Sequence, residues 1–155
     1  MVILDTDVLL LALAFAFQRD SRQPVNTAFL EQLQTESPAI TVYSLMEILG
    51  QLSFNLSAER LSAWQSWLVD AYGLTVIWPV DPQDATASFS FRAEIFERPF
   101  ERMLDHRAAF MDALILGLAE RAPEAEAFIT WNARHFKGKS SLKVLTPQEY
   151  LEKGL

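Results

Sequence analysis

The chain has 155 residues, half of them hydrophobic, and no cysteine, which excludes a disordered polar chain, a disulfide framework and a thiolate zinc site. Its net charge of −7 does not suit a protein that holds long nucleic acid through phosphate contacts alone, because such contacts need a basic face. Either the partner is not nucleic acid, or metal ions supply the missing positive charge.

The length suits one domain over residues 1–155. Residues 2–4 form a short apolar run, followed by the polar residues Asp5, Thr6 and Asp7 and then by a long apolar stretch. This order predicts a strand, a turn and a buried helix. The apolar run 8–17 is shorter than the roughly 20 residues that span a bilayer, and no basic leader precedes it. We therefore expect neither a membrane span nor a signal peptide, and a cytoplasmic location.

The next strand is predicted at residues 39–43, and the helix after it is expected to begin at Ser44. The spacing Ser44-Leu45-Met46-Glu47 is that of a capping box, in which the glutamate binds the helix start, and Tyr43 and Ile48 are placed as a hydrophobic staple. Further strands are predicted at residues 74–78, 127–130 and 144–145, and further helices from Asp81-Pro82, over residues 106–121 and from Thr146 to before Gly154.

Strands that alternate with helices predict one parallel sheet covered on both faces. In such sheets the functional crevice lies beyond the carboxyl ends of the strands. Asp5, Glu47 and Asn132 all follow a predicted strand end. These residues are therefore the first candidates for a functional site.

Each carboxylate also has a structural interpretation. Asp7 is placed to cap the first helix, whereas Asp5 lies too far upstream to cap it easily. The capping box alone explains Glu47. Asp112 lies among apolar residues inside a predicted helix, where a lone carboxylate is costly to bury without a partner or a cation, although a solvated helix face remains an alternative. Asp105 precedes Asp112 by two helical turns and either assists it or caps the helix.

Four segments together resemble the successive motifs of the PIN domain: ILDTDVL at residues 3–9, SLMEILG at 44–50, MDALI at 111–115 and ITWNARHF at 129–136. The resemblance implies a three-layer α/β/α fold with a central, mainly parallel sheet of about five strands. It also implies an acidic cluster of Asp5, Glu47 and Asp112 that holds one or two Mg²⁺ or Mn²⁺ ions. The fourth motif often has an acidic residue where this chain has Asn132. The implied site therefore has one carboxylate fewer.

The implied activity is metal-dependent cleavage of single-stranded RNA. Asp5 and Asp112 are expected to be direct metal ligands, Glu47 a ligand or a group that orients the attacking water, and Asn132 a neutral oxygen or a hydrogen-bond donor. Carboxylates suit hard divalent ions, which activate water and neutralise phosphate charge. The small size resembles VapC-type toxins, which implies an antitoxin partner and a homodimer. Phe15, Phe17, Trp64 and Trp67 would suit such a surface or an ordinary core.

Two other functions compete with the nuclease. A PIN-like domain that has lost catalysis would serve as an RNA-binding or protein-interaction module, and Asn132 keeps this alternative open. A response-regulator domain is disfavoured, because no lysine closes a late strand.

Residues 134–143 carry four basic and no acidic side chains and suit either a phosphate track or a solvated loop. Trp131 suits either base stacking or the core, and His106 and His135 are assigned no chemistry.

Overall fold

Five strands form one parallel sheet in the computed structural model, which describes residues 1–13, 20–79 and 91–154. Within these residues the spatial order is β3-β2-β1-β4-β5, so β1 lies in the centre and pairs with β2 and β4. The parallel sheet of about five strands is confirmed. The strands are β1 (Val2–Leu4), β2 (Ala39–Thr41), β3 (Thr75–Ile77), β4 (Ala127–Ile129) and β5 (Lys143–Leu145).

Helices cover both faces of the sheet. A π-helical turn, Ala93–Glu97, leads directly into the fifth of them. The described helices are α1 (Thr6–Leu13), α2 (Gln23–Leu33), α3 (Val42–Ser53), α4 (Ala58–Tyr72), α5 (Arg98–His106), α6 (Phe110–Arg121), α7 (Ala133–Phe136) and α8 (Pro147–Lys153).

The side chains of β1 show why the fold has three layers. Val2 and Leu4 belong to an apolar cluster that also contains Phe29 of α2, whereas Ile3 belongs to a second cluster with Ile115 of α6. Successive strand residues point to opposite faces, so both faces of the sheet bury apolar surface. This explains the continuous apolar runs in the strands. The predicted three-layer α/β/α arrangement is confirmed.

The start of α3 differs from the prediction. The helix begins at Val42, and the Thr41 hydroxyl caps it by accepting a hydrogen bond from the Ser44 amide at 3.1 Å. The capping box predicted at Ser44 is therefore wrong. The strand already ends at Thr41, whose extended backbone and hydroxyl suit the cap position. Glu47 consequently lies in the second turn of α3, where a capping role no longer explains it.

The helix predicted over residues 106–121 is α6, which begins four residues later than predicted, at Phe110. Arg107 adopts a left-handed backbone with φ 53° and ends α5, and α6 begins only at Phe110. Asp105 therefore lies on α5 rather than two turns before Asp112 on one helix, and that prediction is wrong. By contrast, Thr146 and Glu149 form a complete capping box at the start of α8. The helix start predicted at Asp81 lies outside the described residues.

The apolar stretch after β1 is a buried helix as far as it is described. Val8, Leu9 and Leu11 of α1 are buried, and residues 14–17 of the apolar run lie outside the described part, including Phe15 and Phe17. None of the helices in residues 1–13, 20–79 and 91–154 has the length and apolar character needed to cross a membrane.

Candidate metal centre

The strand order of the sheet reverses between β1 and β4: successive strands are added on one side of β1 and then on the other. Strands β2 and β3 lie on one side of β1, and β4 and β5 lie on the other. Ligand sites of open α/β sheets form beyond the carboxyl ends of strands at such a switch point. Asp5 follows β1 directly, and its amide donates a hydrogen bond to the Ile129 carbonyl at 2.9 Å. The end of β1 is therefore joined to the end of β4 where a site is expected.

Asp5 is a buried carboxylate, with only 7% of the residue exposed. Its Oδ1 accepts a hydrogen bond from the Thr6 amide at 2.8 Å. Burial raises the pKa of Asp5 to about 7, and the negative charges of Asp7 and Glu47 add to the rise, whereas hydrogen bonds from Thr130 and Thr6 oppose it. Since α1 begins at Thr6, Asp5 lies directly before the helix. The prediction that it is too far upstream to cap is therefore wrong.

Asp7 connects α1 to the segment after β4. Its Oδ1 accepts a hydrogen bond from the Trp131 amide at 3.1 Å, and its Oδ2 accepts bonds from the Asn132 amide and the Thr130 hydroxyl, also at 3.1 Å. Burial raises the pKa of Asp7, and these hydrogen bonds oppose the rise. Asp7 lies inside the first turn of α1, so the prediction that it is the residue before that helix is wrong. Its carboxylate instead fixes the start of the fourth motif.

Glu47 reaches the same group of carboxylates from α3. Its Oε2 accepts a hydrogen bond from the Thr6 hydroxyl at 2.6 Å, and its charge contributes to the raised pKa of Asp5. Sequence reasoning missed Thr6 and Thr130, which link the carboxylates through their hydroxyls. Their one signal was position: Thr6 stands between Asp5 and Asp7 after β1, and Thr130 follows β4 two residues before Asn132. The structure thus brings Asp5, Asp7 and Glu47 together.

Asp112 has a different neighbour. It lies in the first turn of α6, and its Oδ2 is 3.0 Å from Nε2 of His135. Within the described ranges, no three side chains of the His, Asp and Glu types are arranged so that they could hold a metal ion. The structure therefore places Asp112 with His135 rather than in immediate contact with the other acidic residues. Sequence reasoning had assigned His135 no chemistry, because its partner is distant in the chain.

Asn132 takes part in the site through its backbone. Its amide donates hydrogen bonds to Asp7 Oδ2 and, at 3.0 Å, to the Thr130 hydroxyl, and the residue itself is exposed before α7. The metal-directed role of its side chain stays a prediction. The conformation of the fourth motif depends on Asp7 and Thr130 instead.

Trp131 is held against the fold. It packs on the apolar cluster of β1, and its indole Nε1 donates a hydrogen bond at 2.8 Å to Asn26, whose residue is 1% exposed. The Arg22 guanidinium lies 5.7 Å from the ring centroid. These contacts support the core alternative over base stacking. In the basic segment after it, Lys137 pairs with Glu149 at 2.7 Å, whereas Arg134 and Lys143 are exposed.

No family model and no curated protein matches the sequence. Two solved structures match in fold over nearly the whole chain. The structure of FitAB bound to the IR36 DNA fragment has a TM-score of 0.58 at 16% identity and covers 95% of each chain. The crystal structure of FitAcB from Neisseria gonorrhoeae has a TM-score of 0.60 at 17% identity and covers 96% of this chain and 99% of the other. The fold is PIN-like.

The carboxylate oxygens at this site are of the type that a hard divalent cation binds. Asp5, Asp7 and Glu47 offer carboxylate oxygens, which Mg²⁺ and Mn²⁺ prefer as ligands. No Lys or Arg side chain among the described residues contacts Asp5 or Glu47, and burial with like charges raises the pKa of Asp5. A divalent cation would relieve this repulsion. Asp5 and Glu47 thus offer oxygen ligands of the right type, whereas Asp112 contacts His135, and within the described ranges no three such side chains are placed to hold an ion.

Proposed function

We propose that the protein is a Mg²⁺- or Mn²⁺-dependent endoribonuclease that cleaves single-stranded RNA. The observation that carries this proposal is Asp5, a buried carboxylate at the end of the central strand, beside Asp7 and Glu47 and without a cationic partner among the described residues. A carboxylate at such a depth is costly unless a proton or a positive charge compensates it. The PIN-like fold supports nuclease activity as the use of this site.

Asp5, Glu47 and Asp112 would hold the ion, which neutralises phosphate charge and activates a water molecule. Asp5 is fixed by the Thr6 amide, and Glu47 by the Thr6 hydroxyl, so one residue orients both carboxylates. Thr6 is therefore a positioning residue. Asp7 accepts hydrogen bonds from the amides of Trp131 and Asn132 and so fixes the backbone that carries the Asn132 side chain.

A short, unpaired RNA suits the charge of the protein. The net charge is −7, so a long duplex would be repelled over much of the surface. Exposed Arg134 and Lys143 follow the site in the chain and give a local phosphate contact. Cleavage would therefore depend on the metal for affinity as well as for chemistry.

We further propose that this nuclease is the VapC-like toxin of a cytoplasmic toxin–antitoxin pair and forms a homodimer. Its likeness in fold to FitAB and FitAcB supports the toxin–antitoxin type. Apolar side chains are available for such partners: Phe96 and Phe100 stack at 5.8 Å and are exposed, as is Leu104 one turn further on. Trp67 is also exposed, whereas Trp64 packs against the core.

A second candidate function is a catalytically weakened PIN-like module that binds RNA or protein. Its supporting observation is that Asp112 faces His135, so the described residues present no three-membered metal cluster. Such a module would bind RNA equally well with and without divalent ions. The nuclease would not.

The test is cleavage of a fluorescent single-stranded RNA by the wild-type protein, with Mn²⁺ and with EDTA. We expect cleavage that requires the metal and is lost in Asp5→Asn. The matched control is Asp70→Asn, which removes an exposed carboxylate on α4. Metal-independent RNA binding without cleavage would favour the second candidate. Equal cleavage by Asp5→Asn and the wild type would contradict the proposed site.

A further inference from the structure

The Arg22 side chain lies beside the candidate site, over the ring of Trp131. Its guanidinium carbon is 5.7 Å from the ring centroid, and the Trp131 amide donates a hydrogen bond to Asp7 Oδ1 at 3.1 Å. About half of the Arg22 side chain, 49%, is exposed. Trp131 therefore connects a solvent-accessible cation to a carboxylate of the site.

The fold determines this position of Arg22 through α2. Arg22 directly precedes the helix, and its carbonyl accepts a hydrogen bond from the Asn26 amide at 2.9 Å. The buried Asn26 side chain donates to the Val8 carbonyl of α1 at 3.0 Å and accepts from the Trp131 indole at 2.8 Å. Residues four apart share one face of a helix. Arg22 thus lies on the face of α2 that meets α1 and Trp131.

An ion pair with Asp20 orients the guanidinium without using all of its donors. Nε donates to Asp20 Oδ1 at 3.0 Å, and Nη2 donates to Oδ2 at 2.6 Å. A guanidinium carries five N–H donors in a fixed plane, and Asp20 engages none of those on Nη1. Both partners are accessible to solvent, and ion pairs of this kind are weak. Arg22 is therefore held in place and still able to bind a second oxyanion.

The charge of Arg22 also reaches the carboxylates. Burial raises the pKa of Asp7, and Arg22 is among the groups that lower it. The protein as a whole has a net charge of −7, so most of its surface repels a phosphate. An exposed guanidinium beside the site gives an approaching phosphate a local attraction.

We infer that Arg22 binds a backbone phosphate of single-stranded RNA and so positions the RNA chain at the carboxylates. Arginine is well suited to phosphate, which it binds through paired N–H donors. A base is not the expected ligand here, because the guanidinium covers one face of the Trp131 ring and the ring also packs on the apolar cluster of β1. This inference rests on the proposed action on RNA and goes further by naming a positioning residue and the part of the RNA that it holds.

The experiment measures the binding of fluorescein-labelled single-stranded RNA to the full chain by fluorescence anisotropy. The probes are an oligouridylate and an oligoadenylate of equal length, in EDTA and with Ca²⁺, which also binds carboxylate oxygens. The variants are Arg22→Gln and Arg22→Lys, and melting curves verify that they fold. Arg60→Gln is the matched control, because it removes an exposed arginine from the first turn of α4.

We expect Arg22→Gln to weaken the binding of both RNAs about tenfold, since a charge-assisted hydrogen bond is lost. A plot of the logarithm of the binding constant against that of the salt concentration should become less steep, by about 0.7 for one phosphate contact on a single strand. Arg22→Lys should keep the wild-type slope, because an ammonium group also binds phosphate. Arg60→Gln should leave the slope unchanged. If Arg22 only compensated the charge of Asp7, its loss would not alter the slope.

Chemical modification of the wild type gives a second readout that needs no variant. Phenylglyoxal reacts with exposed guanidinium groups, and peptide mass spectrometry measures the extent at each arginine. Bound RNA should protect Arg22 and should not protect Arg60. If Arg22→Gln does not fold, this protection decides the question.

Four results would overturn the inference: an unchanged salt slope in folded Arg22→Gln, weaker binding of only one of the two RNAs, equal modification of Arg22 with and without RNA, or no RNA binding by the wild type in either condition. Metal-dependent cleavage together with an unchanged slope would leave the proposed nuclease standing without this role for Arg22. Weaker binding by Arg22→Gln in a protein that cleaves no RNA would support the inference and overturn the nuclease.

Discussion

In the part of the chain that the structure describes, two regions bury a carboxylate, and the surroundings of its charge differ. Glu94, 3% exposed, accepts hydrogen bonds from Arg98 at 3.1 Å, from Arg121 and from the Tyr43 hydroxyl at 3.1 Å. Asp5, 7% exposed, accepts a hydrogen bond from the Thr6 amide and has the negative charges of Asp7 and Glu47 near it. One carboxylate is neutralised by two guanidinium groups, and the other is surrounded by like charge.

The difference separates a structural carboxylate from a functional one. The ion pairs of Glu94 join the α5 region to α6, and its bond to Tyr43 joins it to α3, so removing the negative charge should weaken the fold. At Asp5 burial and then the like charges of Asp7 and Glu47 raise the pKa, so the metal-free fold should gain from losing the Asp5 charge. Burial of a carboxylate therefore identifies a functional site only when its neighbours fail to compensate it.

The largest expected effect on stability is that of Glu94→Gln. This change leaves Arg98 and Arg121 without their carboxylate, and breaking a buried ion pair costs about 3–5 kcal/mol. We expect the lower end of this range, because both arginines are partly exposed. Urea unfolding measures the loss. A neutral effect would show that the Glu94 network is not structural and would remove the contrast with Asp5.

Metal addition should stabilise the wild type by a similar amount. A ligand that binds only the folded state at about 100 times its dissociation constant contributes about 2.7 kcal/mol. Melting temperatures with and without Mn²⁺ measure this effect, and Asp5→Asn should show almost none of it. Glu94→Gln, although less stable overall, should keep the full metal-induced rise. If its response to metal is also lost, the two regions are not independent.

The stability of the metal-free protein should fall as the pH rises, because of Asp5. Its pKa rises from 3.8 to about 7 on folding, so the folded state binds the proton more tightly. Proton binding by Asp5 therefore adds to the free energy of unfolding. This contribution is fully present below about pH 4 and is lost as the pH rises through 7. In EDTA, we expect Asp5→Asn to melt at a higher temperature than the wild type at pH 8, and the difference to shrink towards pH 4. A lower melting temperature at pH 8 would contradict the repulsion.

The smallest expected effect on stability is that of Glu47→Gln. The amide oxygen of Gln still accepts the Thr6 hydroxyl, so the 2.6 Å contact should survive, and the change should be within about 1 kcal/mol, the usual value of one hydrogen bond. Cleavage of RNA should nonetheless fall sharply, because a metal-directed charge is lost. The same preparation serves for a urea titration and a cleavage assay. Full activity in this folded variant would show that Glu47 is not part of the catalytic site.

The sequence predicted the sheet better than the helix ends. Strands buried on both faces are continuous apolar runs, which made β1 and β4 visible, and Asp5 was found because it follows such a run. Cap positions were harder to predict, because Thr41 and Ser44 both suit a helix start and only the end of β2 decides between them. No helix was predicted at α2, where the polar residue Asn26 occupies a buried position of the helix.

The partners of the site residues could not be predicted from local patterns. Asp112 and His135 are separated by more than 20 residues, as are Glu47 and Thr6. Only the switch point at β1 and β4 brings Asp7 to the amides after β4. Likewise, the arginines that neutralise Glu94 are indistinguishable in the sequence from solvated charges. Distinguishing the compensated carboxylate from the uncompensated one therefore requires the folded structure.

The most direct test of this account is a crystal structure of the protein with Mn²⁺, with diffraction data measured at the manganese absorption edge. The account predicts an anomalous peak beside the Asp5 and Glu47 carboxylates, within the ligand distance of about 2.1–2.3 Å, and none at Glu94. An ordered structure at saturating Mn²⁺ with no peak at Asp5 would contradict the central claim that this uncompensated carboxylate is a metal ligand.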